Sequence, residues 1–369
     1  MRTESPSAPP RISKARARLY GILLTLLLLC TVEGAARLLY VLLPKTLGLA
    51  VPPQLTQLDP DLGWSLRPGA SATSKRTGDI IRYVINSKGL RDEETPYEKP
   101  AGITRIVLLG DSRTFGFGVP IEKHYSMLLE GYLDQVECIN MGVDGYGVDQ
   151  ELLMLRKEGF KYHPNIVMAL VSHFGDERHL HDSRWGMGKP QFILGENATL
   201  TLTNVPVSNN AAWYVHARTL DCIASASRAY SMLRDLLLHV AHSFKPPAAP
   251  AVAAEVDIPE GMTAAQWAHQ QQLYGTALAI LMAMDAECAA HNAVFVLLTQ
   301  MPELHGLAQA VGLRSLDLTV PMRNDRFPLP DGLAHFNEAG NGVLAWEVAQ
   351  YLQREGLADM IPLLPPCSP

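Results

Sequence analysis

The segment that decides the fold is Ile106-Val107-Leu108-Leu109-Gly110-Asp111-Ser112. Its unbroken apolar run predicts a strand that is buried on both faces of a parallel sheet. The Gly-Asp-Ser sequence then ends the strand and begins a turn or helix. Ser112 is therefore expected at the carboxyl end of a sheet strand, where doubly wound folds bind ligands. Because the first amides of a helix are unpaired, this serine offers both a hydroxyl and a free N–H, and Asp111 is expected to line the same site.

Strands and helices alternate on the C-terminal side of this segment. Apolar runs predict strands at 103–109, 136–140, 165–171, 293–299 and 316–319, and helical periodicity predicts helices at 124–133, 148–160, 263–292 and 337–355. This alternation predicts one α/β domain over about residues 101–360, with a parallel sheet covered on both faces. Within it, residues 177–262 are expected to be a helical insertion that contains a long helix at 218–243 and a Pro/Ala-rich linker at 245–261. Residues 44–100 form an extended lead-in with one strand at 80–85, and 361–369 a tail.

Two later segments carry residues suited to acyl chemistry. The stretch Ile139-Asn140-Met141-Gly142-Val143-Asp144-Gly145-Tyr146-Gly147 is a strand end followed by three glycines, which allow the backbone to approach a ligand closely. It is either a source of a backbone N–H for an oxyanion or a plain strand-to-helix turn. Near the C-terminus, Asp331 and His335 precede the last helix in one loop, where an aspartate can orient an imidazole as the general base for a serine.

Taken together, these three segments resemble the SGNH/GDSL hydrolase superfamily in order and spacing, over roughly residues 60–355. The segments Asp59–Gly69 and Ile85–Arg91 look like the lead-in of its membrane-anchored bacterial members. The resemblance implies a flavodoxin-like three-layer α/β/α sandwich that catalyses ester hydrolysis or acyl transfer without a metal or cofactor. It implies that Ser112 is the nucleophile, that Asp331 and His335 complete a triad, and that the N–H groups of Ser112 and Gly145 form the oxyanion hole. The implied substrate is an acylated small molecule or an acylated carbohydrate of the cell envelope.

The sequence departs from the family pattern at two places. Where the family has Gly-x-Asn-Asp after the third strand, this chain reads His173-Phe174-Gly175-Asp176, so Gly175 stands in place of an oxyanion-hole asparagine. His173, Gly175 and Asp176 remain candidate site-lining residues, and His173 is a candidate substitute donor. The usual Asp-x-x-His is also one residue longer here, as Asp331-x-x-x-His335. These departures leave open a second hypothesis, a catalytically silent relative that binds or assembles an envelope protein complex.

The N-terminus has the pattern of a membrane signal. A basic segment, residues 1–18, precedes the apolar stretch 19–43, whose 25 residues are enough to cross a hydrocarbon core. Two interpretations are open, a cleavable signal peptide ending near Gly34-Ala35-Ala36 and an uncleaved signal-anchor. The basic flank predicts that residues 1–18 stay in the cytoplasm. The chain is thus expected to be a single-pass inner-membrane protein with its body in the periplasm or outside the cell.

Charge and composition exclude other classes of protein. Of the 369 residues 47% are hydrophobic and 18% charged, so the chain can form a buried core. Residues 1–44 carry a net charge of +4 and the rest −10, which argues against a nucleic-acid partner. The five cysteines lack zinc-site spacing. A cluster formed by Asp176, His179, His181 and Asp182 is expected to be solvated surface, and no metal is predicted there.

Overall fold

A computed structural model of the chain describes residues 13–42, 55–74, 80–172, 175–184, 187–195, 199–208, 263–323, 327–329 and 335–361. The chain divides into two compact units, residues 1–45 with 217–245, and residues 46–216 with 246–369. The predicted helix at 218–243 and the linker at 245–261 lie outside the described residues. The domain boundaries expected from the sequence therefore stay predictions.

In the first unit, the described residues form helix α1, Lys14–Leu42. At 1.5 Å per residue, its 29 residues span about 44 Å. The leucines along it are exposed, for example Leu24 at 68% and Leu28 at 62%. The segment Arg18–Ala35 of this helix is long and apolar enough to cross a membrane, with a mean hydropathy of 1.6. The predicted apolar helix is therefore present.

The second unit contains the remaining helices and strands that the structure describes. Its described strands are β1 Thr56–Asp59, β2 Gly63–Leu66, β3 Ser71–Ser74, β4 Ile81–Val84, β5 Thr104–Gly110, β6 Val136–Asn140, β7 Ile166–Val171, β8 Ser183–Arg184, β9 Met187–Gly188, β10 Gln191–Leu194, β11 Leu200–Thr203, β12 Val294–Thr299 and β13 Ser315–Asp317. Its described α-helices are α2 Ser112–Phe115, α3 Tyr125–Tyr132, α4 Val148–Lys157, α5 Ala264–Ala290, α6 Pro302–Ala310 and α7 Glu338–Arg354. Short 3-10 helices lie at Ile121–Lys123, Gly159–Tyr162 and Gly175–Leu180.

Among the described residues, five strands form one parallel sheet in the order β13-β12-β7-β5-β6. Numbered along the chain, this is the order 2-1-3-4-5 of flavodoxin-like folds, in which ligands bind where the strand order reverses. That reversal lies between β5 and β7, whose register runs from Ile106 opposite Ile166 to Gly110 opposite Leu170. The fold class expected from the sequence is therefore the observed one.

Helices cover both faces of this sheet, which makes the sandwich three-layered. Because side chains alternate along a strand, Val107 and Leu109 of β5 face one core and Ile106 and Leu108 face the other. Helices α4, α5 and α6 close the first core, and α3 and α7 close the second. Helix α5 includes an apolar stretch of membrane-spanning length, Gln266–Ala290, yet its buried side chains belong to the first core.

The lead-in and the insertion differ from their predictions. The lead-in forms two antiparallel hairpins, β1 with β2 and β3 with β4. In the insertion, residues 183–203, which have no regular pattern in the sequence, form two small hairpins, β8 with β9 and β10 with β11. The polar and β-branched residues of β11, Leu-Thr-Leu-Thr, suit a half-exposed strand better than a helix.

Candidate active site

Ser112 is the first residue of α2, directly after β5. Asp111 caps this short helix, its Oδ1 accepting a hydrogen bond from the N–H of Arg113 at 2.9 Å. Position 110, the last residue of β5, requires glycine, because its φ of +154° and the nearby Thr114 side chain leave no room for a Cβ atom. The turn between strand and helix is tight for this reason, and it holds the Ser112 side chain at the carboxyl edge of the sheet.

His335 lies against Ser112, although 223 positions separate them in the chain. Its Nε2 is 2.7 Å from the Ser112 Oγ, a distance at which the hydroxyl donates its proton to a neutral imidazole. Both side chains are about 95% buried. A bridge between Pro328 and Phe336, reinforced by Leu329 N–H to the carbonyl of His335 at 2.8 Å, positions the histidine before α7. The structure thus brings together the two residues that the sequence predicts as nucleophile and general base, at a distance that suits these roles.

Asp331, expected to orient His335, lies outside the described residues, which stop at 329 and resume at 335. Its place in a triad and the effect of the longer Asp-x-x-x-His spacing stay predictions. The Phe117 ring packs 4.8 Å from the imidazole of His335, centroid to centroid. This packing restrains the ring independently of any carboxylate.

The glycine-rich loop after β6 lies beside the nucleophile. Val143 N–H donates to the carbonyl of Gly110 at 3.1 Å, and a Cβ atom on Gly142 would overlap the backbone of Thr114 and Phe115. Gly145 has a φ of +79°, a left-handed conformation that favours glycine. Within the described part of the chain, neither the Gly145 N–H nor the Ser112 N–H donates a hydrogen bond. Two buried, unused N–H donors are what the predicted oxyanion hole requires.

The lead-in holds this loop in place. The indole N–H of Trp64 donates to the carbonyl of Asp144 at 3.0 Å, and the Tyr146 hydroxyl donates to the carbonyl of Trp64 at 2.6 Å. The two rings also meet edge to face, with centroids 5.8 Å apart. Trp64 and Tyr146 are each 1% exposed. The first hairpin of the lead-in is therefore a structural part of the site.

Arg91, from the end of the lead-in, holds the other side of the nucleophile. Its guanidinium donates to the carbonyls of Phe115, at 2.8 Å, of Gly116, and of Val119, at 2.6 Å. It lies over the rings of Tyr83 and Phe115, and burial lowers its pKa to about 10, so it remains charged at neutral pH. Arg91 thus anchors the carboxyl end of the helix that carries Ser112.

A second histidine near α2 is unsuited to act as a base. His124 is fully buried, and its Nδ1 accepts a hydrogen bond from Ser126 while its Nε2 lies 3.3 Å from the carbonyl of Arg113. Burial lowers the pKa of His124 to about 3, helped by the nearby charge of Arg91. The ring is therefore neutral and structural, and among the described histidines His335 is the one that contacts Ser112.

Asp111 also bonds to the segment that follows β7. Its Oδ2 accepts a hydrogen bond from Arg178 Nη1 at 2.8 Å, and the same nitrogen donates to the carbonyl of Tyr146 at 3.0 Å. Behind these groups lies a cavity of about 20 Å³, enough for one water molecule, which Asp111, Glu151, Ser172 and Arg178 help to line. Arg178 therefore joins the nucleophile turn and the glycine-rich loop to the third segment.

In that third segment, the structure describes some of the predicted residues and not others. His173 lies outside the described residues, and Gly175 and Asp176 begin the 3-10 turn Gly175–Leu180. His179, expected to be solvated, is instead buried, with its Nε2 2.9 Å from the carbonyl of Leu273 and its pKa lowered by that burial. That expectation is wrong, because the turn folds back onto α5. Among the described residues, no group of His, Cys, Asp and Glu is arranged to hold a metal ion.

Sequence reasoning missed three residues of the site, Arg113, Ser172 and Arg178. Arg113 is 4% exposed, lies over the Phe336 ring and donates through Nη1 to the Ser172 hydroxyl oxygen. Position alone could have indicated Ser172, because it directly follows Val171, the last residue of the third sheet strand. For Arg113, the signal in the sequence was its position, a charged side chain directly after Ser112.

Comparison with known proteins gives matches among solved structures. No protein-family model matches the chain, and no curated protein matches it. The lipase/acylhydrolase from Enterococcus faecalis is 15% identical, covering 71% of this chain and 100% of its own, with a TM-score of 0.36. A member of the lipolytic protein G-D-S-L family from Veillonella parvula is 13% identical, covering 68% and 99%, with a TM-score of 0.36.

A third match is a two-domain esterase active on acetylated mannans, co-crystallised with mannopentaose. It is 12% identical, covering 72% of this chain and 53% of its own, with a TM-score of 0.36. Because the TM-scores are low, the function proposed below rests on the geometry of this chain's own site.

Proposed function

We propose that this chain is a serine esterase or O-acyltransferase of the SGNH/GDSL kind. The observation that carries the proposal is the 2.7 Å contact between Ser112 Oγ and His335 Nε2 at the carboxyl edge of a flavodoxin-like sheet. The unused N–H groups of Ser112 and Gly145, on adjacent segments, add the second requirement of acyl transfer, donors for a developing oxyanion.

In the proposed reaction, Ser112 Oγ bonds to the carbonyl carbon of an ester while His335 Nε2 takes the hydroxyl proton. The carbonyl π electrons move onto the oxygen, which the N–H groups of Ser112 and Gly145 stabilise. Collapse of this intermediate breaks the bond to the alcohol, which leaves with the proton from His335. Water or an acceptor hydroxyl then gives its proton to His335 and attacks the acyl carbon. The bond from the acyl carbon to Oγ breaks, and His335 returns the proton to Ser112 Oγ. Asp331 is the proposed partner that orients His335.

The proposed substrate is an acyl ester on an envelope carbohydrate, outside the cytoplasm. Two features support the location, the exposed apolar helix α1 and the basic residues before it. The resemblance to membrane-anchored family members supports the carbohydrate. Incubation of the purified protein with acetylated polysaccharide is expected to release acetate, and release from small activated esters alone would argue against this substrate.

The nucleophile is tested by Ser112→Ala. The substitution removes one hydroxyl from a well-packed turn, so we expect the fold to persist and turnover of a short-chain activated ester to fall by at least about 10³-fold. A serine-directed phosphonate should label the wild-type protein and leave Ser112→Ala unlabelled.

Ser126→Ala is the control, because this buried serine bonds to His124 rather than to His335. Unchanged turnover in Ser112→Ala would contradict the proposed function. Absence of labelling in the wild-type protein would instead favour a silent relative that binds or assembles an envelope complex.

A further inference from the structure

The position of Ser172 is the first observation that assigns it to the site. Strand β7 is the parallel neighbour of β5, and their last registered pair is Gly110 with Leu170. Ser112 and Ser172 each follow this pair by two residues. Both are therefore at the same carboxyl edge, on the two strands between which the strand order reverses. Ser172 is 9% exposed and lines the small cavity together with Asp111.

The hydrogen bonding of Ser172 is the second observation. Arg113 Nη1 donates to the Ser172 Oγ, so a cation occupies one lone pair of the hydroxyl. A serine hydroxyl has one proton and two lone pairs, and an arginine has donors only. The Ser172 proton must therefore point away from Arg113. Among the described residues, none accepts a hydrogen bond from it.

The charge on Arg113 makes this hydroxyl a better donor. Hydrogen bonds that involve an ionised partner are roughly twice as strong as neutral ones, and bonds in a chain polarise one another. Arg113 is itself held by its packing over Phe336, the residue after His335, and by its place after Ser112. The pair is therefore fixed relative to both the nucleophile and the base.

On the basis of the proposed function, we infer that the Ser172 hydroxyl is a side-chain donor to the substrate oxyanion, polarised by Arg113. It supplies a third hydrogen bond beside the N–H groups of Ser112 and Gly145. In this role it replaces the asparagine donor that Gly175 lacks. The hydroxyl keeps its proton throughout, because it only donates a hydrogen bond to the oxygen that becomes negative.

The test compares Ser172→Ala, Ser172→Thr and Ser172→Val in the full-length protein with a short-chain activated ester. Threonine and valine have the same shape and differ by the hydroxyl. We expect kcat to be on the order of 10²-fold lower in the alanine and valine variants than in the wild type and the threonine variant, with KM within about twofold. Inhibition by an alkyl boronic acid, whose adduct with Ser112 is tetrahedral and anionic, should weaken by a similar factor.

Melting curves keep the comparison interpretable. If Ser172→Ala unfolds at the assay temperature, the kcat values of Ser172→Thr and Ser172→Val decide whether the hydroxyl matters, since the two side chains have the same shape. Equal kcat values in these two variants, or an unchanged kcat in Ser172→Ala, would overturn the role of Ser172. Ser112→Ala in the same assay separates the two proposals. If that variant is inactive while the Ser172 variants are fully active, the esterase stands and the third donor does not.

Discussion

Glu151 is a buried carboxyl group close to the nucleophile turn. It is 3% exposed, it lines the small cavity, and its Oε2 has no hydrogen-bond partner among the described residues. Burial raises its pKa well above the usual value, and the negative charges of Asp111 and Asp149 raise it further. The folded protein therefore holds Glu151 neutral at a pH where the unfolded chain ionises it.

This burial predicts a pH-dependent stability. Below the ordinary glutamate pKa, both states hold the proton, and above it only the folded state does, so the free energy of unfolding falls as the pH rises. Glu151→Gln removes the ionisation. We expect it to raise the melting temperature by about 2–4 °C or more at pH 8, the shift that roughly 1 kcal/mol produces in domains of 150–250 residues. At pH 4 the difference should vanish.

Glu98→Gln is the matched control, because Glu98 is exposed and its carbonyl, not its carboxylate, bonds to Arg105. Its melting temperature should follow that of the wild type at every pH. A Glu151→Gln variant whose advantage is the same at pH 4 and pH 8 would show that Glu151 is ionised in the folded protein.

At the scale of elements, the lead-in supports the helix that carries the nucleophile. The Arg91 guanidinium binds three carbonyls at the end of α2, and a lysine ammonium cannot match that fork. We expect Arg91→Lys to lower stability by roughly 1–3 kcal/mol, the cost of buried carbonyls left unpaired. We also expect kcat to fall about tenfold or more, since a 1 Å misplacement of a reacting group can cost 10²-fold.

Urea unfolding and steady-state kinetics check this prediction. Arg82→Lys, a change at an exposed position of the β3–β4 hairpin of the lead-in, should alter neither quantity. If Arg91→Lys loses stability but keeps the full kcat at low temperature, Arg91 supports the fold without positioning Ser112.

The elements that the sequence predicts are those whose signal is local. Strand β6 has the predicted bounds, Val136–Asn140, and α5 begins after its predicted cap, Thr263. The missed helix α6, Pro302–Ala310, contains both Pro302 and Gly306, which read as loop residues. Proline is nevertheless well suited to the first turn of a helix. In the lead-in, β4 falls within the predicted strand at 80–85. Strands β1 to β3 carry too short a pattern to be predicted, and packing against α2 and the glycine-rich loop stabilises the lead-in instead.

The residues of the site also fall into two groups, those that a local motif predicts and those that only the folded sheet brings together. Ser112, His335 and Gly145 belong to motifs that are contiguous in sequence, so they were predictable. The contacts of Arg91, Trp64 and Ser172 depend on which strand lies beside which, and this order follows from the folded sheet. The expectation for His179 failed for the same reason, since its burial comes from α5, far away in the chain.

At the scale of the whole molecule, the N-terminal charge predicts the orientation in a membrane. Five basic residues precede the exposed apolar face of α1: Arg2, Arg11, Lys14, Arg16 and Arg18. Because basic flanks remain in the cytoplasm, we expect a reporter that is active only outside the cytoplasm to work when fused at the C-terminus. A signal only from a reporter that requires the cytoplasm would reverse this topology.

The distance along the chain between Ser112 and His335 has a consequence for the timing of activity. The ribosome makes the serine first and the histidine 223 residues later. At 5–20 residues per second, that interval is about 10–45 s. During it, the hydroxyl has no base to take its proton, so a nascent or prematurely terminated chain is unable to attack esters. The enzyme proposed here would acquire its reactivity only when its last helix is complete.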